Sequence, residues 1–133
     1  EYLLTTRWSV YGNFWTIYGQ NLTDNEPLRR IPPSQGVLGL RWRDRQARNW
    51  FELYSWMVAK QDRLSPGDIR DSRIPDGGTP GYGIVSARVG TYIGRHQRVT
   101  LGIDNIFDKA YRVHGSGVDG GGISGEFSYE LIY

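Results

Sequence analysis

Hydrophobic and polar residues alternate along much of this chain with the period of two that belongs to a β-strand. The alternation is sharpest over the last seven residues, where Phe127, Tyr129, Leu131 and Tyr133 fall at every second position. Five earlier segments read the same way. From about Arg7 to Gln20, Trp8, Val10, Phe14 and Tyr18 oppose Ser9, Tyr11 and Asn13. From about Gln35 to Asp44, Leu38, Leu40 and Trp42 oppose Gly39, Arg41 and Arg43. From about Arg48 to Gln61 both faces carry large groups; Phe51, Leu53 and Met57 are placed outward because Glu52 on the other face is costly in lipid. From about Tyr82 to Ile93, Val85, Ala87 and Val89 oppose Ser86, Arg88 and Gly90. From about Gln97 to Ile106, Val99, Leu101 and Ile103 oppose Arg98, Thr100 and Gly102. No segment keeps a helical period over ten or more residues. The pattern predicts an all-β chain, an antiparallel up-and-down meander of about six strands.

The lengths of strands and links sharpen this. Several segments reach about ten residues, which suits a tilted strand crossing a bilayer better than the roughly five or six of a globular strand. Short links fall near Asp44-Arg45-Gln46 and Gly94-Arg95-His96. Long ones run from Asn21 to Ser34, Asp62 to Gly81 and Phe107 to Gly122. Short turns on one side and long loops on the other are the habit of a transmembrane β-barrel. An exposed aromatic strand such as Phe127 to Tyr133 invites aggregation, and barrel closure removes that hazard. Glu1 to Thr6 reads as the end of a preceding strand and a short turn at Leu4-Thr5-Thr6.

Composition narrows the choices without making them. The 133 residues include 18 glycines, 18 aromatics and no cysteine, which favours turn-rich β-structure and excludes a disulfide framework or thiolate metal site. The net charge of +2 is too small to argue for nucleic acid. A mean hydropathy of −0.52 does not exclude a barrel, whose inner face is polar. No run of about 18 apolar residues is present to make a transmembrane helix.

Candidate chemistry is sparse. His96 and His114 have no partner ligands nearby in sequence, so no metal is expected. Ser116 lies between glycines, but no strand-to-helix turn is predicted there to make a nucleophile. Gly120-Gly121-Gly122 precedes no helix that would hold phosphate. Asp62, Asp68, Asp71 and Asp76 share one link with Arg63, Arg70 and Arg73 and are expected to form a solvated charged loop. Arg41, Arg43, Arg88, Arg98, Asp104, Glu126 and Glu130 are expected to pair along the inner wall. Trp8, Trp15, Trp42, Trp50 and Trp56 suit girdles or barrel packing.

The run Leu101-Gly102-Ile103-Asp104-Asn105-Ile106-Phe107-Asp108-Lys109-Ala110-Tyr111-Arg112 resembles the penultimate strand and following loop of TonB-dependent outer-membrane receptors. Thr79-Pro80-Gly81-Tyr82, Arg30-Ile31-Pro32-Pro33 and Lys60 to Ser65 are similar to segments upstream in that family, and the matches keep the family order. The motif residues are Asn105, Phe107, Asp108, Tyr111 and Arg112. Asn105 and Asp108 suit a turn where the strand leaves the membrane, and Phe107 and Tyr111 suit the rim.

The resemblance implies residues 1–133 as the C-terminal section of the β-barrel, with the plug domain and N-terminal strands absent. It implies an outer-membrane location and a parent receptor that imports a ferric siderophore, haem, cobalamin or similar nutrient. The partners implied are the remaining strands and plug, outer-membrane lipid, the barrel-insertion machinery and, through the plug, TonB. Such receptors have about 22 strands. Phe127, Tyr129, Leu131 and Tyr133 would carry the assembly signal. No cofactor and no enzyme activity is expected. The alternative from the residues alone is a small soluble β-barrel or sandwich that binds carbohydrate or an apolar ligand, with its aromatic faces packed in a core.

Overall fold

The computed structural model describes all 133 residues, Glu1–Tyr133. In chain order the elements are β1 (Tyr2–Leu3), β2 (Trp8–Trp15), β3 (Gln20–Asn21), β4 (Glu26–Pro27), β5 (Gln35–Arg43), β6 (Asn49–Val58), α1 (Pro66–Ile69), β7 (Tyr82–Ile93), β8 (Gln97–Asp104) and β9 (Ser124–Leu131). Seven of the strands form one sheet in the order β1-β2-β5-β6-β7-β8-β9, and every neighbouring pair is antiparallel. It is an antiparallel meander, as the alternation predicts. β3 and β4 form a separate two-stranded ribbon.

The register aligns the two faces across the whole sheet. Val10, Leu40, Leu53 and Ala87 are successive partners on one face, as are Phe51, Val89, Leu101 and Phe127. Arg41 pairs with Glu52, and Glu52 with Arg88, on the other. A slip of one residue in any strand would send its charges to the apolar face. The apolar face has nothing packed on it: Phe14, Leu38, Leu101 and Phe127 are more than half exposed. Only Val58, Ile74, Tyr82 and Ile84 are buried hydrophobics, and they lie at the long-link end. A soluble domain of this length buries far more. The apolar face therefore needs a nonaqueous surrounding or a partner.

Two glycines on the charged face make room for aromatic neighbours. The Tyr11 ring fills the space over Gly39, and the Trp50 indole fills the space over Gly90. Aromatic side chains lying over strand glycines restore the packing that glycine lacks.

Strand boundaries differ from the sequence expectation in four strands, and of these β8 ends at Asp104 rather than Ile106 because Asn105 turns left-handed. β2 stops at Trp15 rather than Gln20, because Thr16 to Gly19 turns away to begin the β3–β4 ribbon. β6 stops at Val58, and Gln61 bridges Thr79 instead. β9 starts at Ser124 and ends at Leu131, a span set by pairing with β8 from Gln97↔Leu131 to Asp104↔Ser124. The seventh strand of the sheet, β1, is the two-residue stub at Tyr2–Leu3.

Candidate functional site

The charged face of the sheet is a wall of coupled ion pairs. Arg98 faces Glu130 across β8 and β9 and grips both carboxylate oxygens at 2.6 and 2.7 Å. Arg41 bonds Glu52, its direct partner on β6, and reaches Glu1 at 3.3 Å. Arg88 and Glu126 are two strands apart, with Gly102 between them. The missing side chain of Gly102 lets Arg88 extend across it to Glu126 at 3.2 Å. The Tyr54 hydroxyl donates to Asp104 at 3.1 Å. Three arginines also lie over tyrosine rings: Arg41 over Tyr11, Arg88 over Tyr54 and Arg98 over Tyr92. Of the expected inner-wall charges, Arg43 and Asp104 form no ion pair. These pairs border a concave polar groove of about 550 Å³. Partly solvated pairs of this kind are worth at most about 1 kcal/mol each. Their consequence is a fixed polar lining rather than a large gain in stability.

The long-link end is built around two buried polar residues. Asn105, only 2% exposed, takes a left-handed backbone conformation with φ of 51°. Its Oδ1 accepts the Lys109 N–H at 2.9 Å, and its Nδ2 donates to the carbonyls of Lys109 and Gly121 at 2.9 and 3.1 Å. One side chain thus closes the start of the third long link against its end. Asp108, also left-handed at φ of 49°, accepts the Ile123 N–H at 3.0 Å. Tyr111 packs against Tyr82 at 4.7 Å and Trp56 at 6.4 Å between ring centres. Arg112 pairs with Asp119 at 2.7 Å, and Phe107 is 76% exposed. The five motif residues therefore share one link, yet they make separate contacts and do not converge on a cavity.

Asp68, 1% exposed, is the second centre. It closes a capping box at the start of α1, where Ser65 Oγ accepts the Asp68 N–H and the Asp68 carboxylate accepts the Ser65 N–H. It also accepts the Ser65 hydroxyl proton at 2.9 Å and the backbone N–H of Arg30 at 3.1 Å. Burial pushes the Asp68 carboxyl up, but the Ser65 and Arg30 bonds outweigh that and hold it below its ordinary value. Beside it, Asp71 collects the guanidinium groups of Arg73, Arg30 and Arg29 at 2.8, 3.1 and 3.5 Å. The solvated loop expected for these aspartates is thus corrected: Asp68 and the Asp71 carboxylate lie inward, surrounded by donors. The sequence held a signal for this in Ser65-Pro66-Gly67-Asp68, a helix-capping serine with proline at the next position and an acid at the third.

These centres tie all three long links together. Arg63 donates to the Gly19 carbonyl at 2.8 Å and bonds Gln20, and Gln61 Nε2 donates to the Ile31 carbonyl at 2.6 Å. His114 from the third link bonds Thr79 of the second through Nδ1 at 2.8 Å. Burial pushes the His114 imidazole below its ordinary value, against the opposing pull of Asp68 and Asp71. His96 lies far off in a short turn, with Nδ1 3.0 Å from the Ile132 carbonyl. Ser116 donates to the Val118 carbonyl. Of the terminal residues, Phe127, Tyr129 and Leu131 lie on the apolar face of β9, and Tyr133 follows its end.

The profile of the family described as TonB dependent receptor-like, beta-barrel matches residues 2–106. The chain belongs to this family. Among solved structures it is similar to the copper transporter OprC, with a TM-score of 0.86 and 23% identity over 98% of this chain and 22% of that one. It is also similar to the ferric-catecholate import receptor Fiu of E. coli K12, in its closed form, with a TM-score of 0.65 and 18% identity over 96% of this chain and 19% of that one. At such identities the likeness is one of fold. The chain spans less than a quarter of the length of either structure. No curated protein matches it.

Proposed function

We propose that residues 1–133 form the C-terminal barrel section of an outer-membrane receptor that imports a scarce nutrient, energised by TonB through a plug outside this chain. The observation that carries this reading is the two-faced sheet. Its outward face is apolar and uncovered, its inward face is lined by ion pairs, and its links alternate short and long. Lipid covers the first face, and the second lines a polar lumen. The cargo is of the ferric siderophore, haem or cobalamin kind; copper and a ferric catecholate, named for the two similar structures, share its metal-bearing character. The inward charges are coupled to one another rather than to a nucleophile, which supports a wall and not an enzyme. The soluble alternative needs a core, and four buried hydrophobics do not provide one.

Uptake tests the reading. Cells carrying the full-length receptor are offered labelled ferric siderophore, haem, cobalamin and copper, with and without functional TonB. Saturable uptake of one cargo that disappears without TonB is expected. Uptake that persists without TonB, or is absent for every metal-bearing cargo, overturns the reading.

The terminal strand has its own expected role. We propose that Phe127, Tyr129, Leu131 and Tyr133 engage the barrel-insertion machinery by strand pairing with apolar pockets at alternate positions. Tyr133→Asp in the full-length receptor is expected to lower the folded outer-membrane fraction about tenfold, since a charge at this edge opposes the pocket. Heat-modifiable migration and surface labelling measure it. Unchanged surface levels would sink this role.

A further inference from the structure

The charge of this protein is unevenly placed, and the placement points to a partner. Each long link carries as many acids as bases. Asp24 and Glu26 balance Arg29 and Arg30 in 16–34; Asp108 and Asp119 balance Lys109 and Arg112 in 105–123. The four aspartates of 59–81 likewise meet one lysine and three arginines. The inner wall, with Glu1 and Arg43, is acidic by one charge. The net +2 therefore comes from the short-turn end, where Arg7, Arg45, Arg48 and Arg95 stand against Asp44 alone.

All four arginines are exposed, and none takes part in an ion pair. The one carboxylate near them is occupied. Asp44 Oδ1 accepts the Arg48 N–H at 2.8 Å, and Oδ2 accepts the Asn49 side-chain amide at 2.7 Å. Directly beside this rim the outward face carries Trp8, Trp42 and Phe51 as successive partners. Arg7 precedes Trp8 by one residue, in the turn between β1 and β2, and Arg45, Arg48 and Arg95 lie at the turns between β5 and β6 and between β7 and β8. An aromatic row of this kind marks the boundary between hydrocarbon and headgroups. Unpaired guanidinium groups just past that boundary lie at headgroup depth, where phosphate oxygens offer matched bidentate acceptors.

We propose that the short-turn rim binds anionic phospholipid headgroups of the leaflet it faces, so that the receptor recruits acidic lipid around this sector. The inference rests on the reading of the sheet as a membrane wall. Attraction between such a rim and an anionic leaflet is electrostatic and decays within a Debye length.

The test uses the full-length receptor in bilayers of phosphatidylethanolamine with a minor fraction of phosphatidylglycerol. Spin-labelled forms of the two lipids report how often each occupies the protein surface. The wild type is expected to favour phosphatidylglycerol by roughly threefold to tenfold. The preference should collapse when salt is raised to about 1 M, where the Debye length is about 3 Å. Replacing the four arginines by glutamine should abolish it while heat-modifiable migration of the barrel is kept. An equal association of both lipids, or a preference indifferent to salt, overturns the proposal without any variant. A preference that survives in a folded four-arginine variant overturns it too. Burial of the rim by an acidic protein segment, seen as protection of Arg45 and Arg95 from an arginine-directed reagent without anionic lipid, also decides against it. Failure of the receptor to insert at all counts against the membrane-wall reading instead, so the two failures are distinguishable.

Discussion

Asn105→Ala in the full-length receptor is expected to open the third long link and to destabilise its local structure by about 3 kcal/mol. Three hydrogen bonds end on this side chain, and the residue is buried. Alanine leaves the Lys109 N–H and two carbonyls without partners in a site closed to water. Each unsatisfied buried group costs on the order of 1–3 kcal/mol. Alanine also keeps the left-handed backbone at φ of 51° without the short polar side chain that makes it tolerable, at about 1–2 kcal/mol. The two contributions separate experimentally. Asn105→Gly removes the same bonds but relieves the backbone, so it should be milder than alanine by about 1 kcal/mol. Hydrogen exchange at the Lys109 amide and limited proteolysis within 105–123 report both. If the alanine receptor exchanges and cleaves like the wild type, Asn105 does not fasten this link.

The sheet was more legible than the rim, and the reason is physical. Strand faces follow from a period of two, which is local. For this reason Val85, Ala87 and Val89 could be set against Ser86, Arg88 and Gly90 from sequence, and the bounds of β7 agree at both ends. The alternation of short and long links was legible for the same reason. Strand ends are less local. Ser124-Gly125-Glu126 carries no apolar alternation and becomes strand only because Gly102, Ile103 and Asp104 lie opposite. The inner-wall charges were legible by their face, but their pairing was less so: Arg41 pairs with Glu52 and Glu1, outside the expected set, and Arg88 reaching Glu126 across two strands depended on Gly102 lying between them. The Asp68 and Asp71 centres needed contacts from residues about forty positions away, Arg29 and Arg30. Their charges alone read as a solvated loop. Only the serine-capped turn at Ser65 marked Asp68 as different from Asp62 and Asp76. His114 gave no signal of its own, since its partner Thr79 is 35 residues away.

The tie between the long links also has a predicted pH dependence, carried by Asp68 and His114. The Asp68 carboxylate is favoured in the folded rim, with its pKa below the ordinary 3.8. Such a group contributes stability that is full above the ordinary value and is lost as pH falls through the lowered one. His114 acts in the same direction. Its folded value lies below the ordinary 6.5, so the neutral ring is favoured; its contribution is full above that value and fades as pH falls through the lowered one. The links should therefore stay docked at neutral pH and loosen in two acid steps, the first through His114 and the second through Asp68. Asp68→Ala removes both parts of the second step. It deletes the acceptor for Ser65 and for the Arg30 N–H, where Arg30 itself is held at φ of 55°. Hydrogen bonds to a buried charge are worth about 1.5–3 kcal/mol each. Loss of this set should cost about 3 kcal/mol, raising the open population of the rim about a hundredfold. Asp68→Asn keeps one acceptor and should fall between. Neither variant should retain the lower acid step, whereas His114→Asn should lose only the upper one. Amide exchange at Arg30 and Ser65 against pH measures this directly. Exchange in Asp68→Ala that matches the wild type at neutral pH would show that the links are held by Gln61, Arg63 and Asp71 without it.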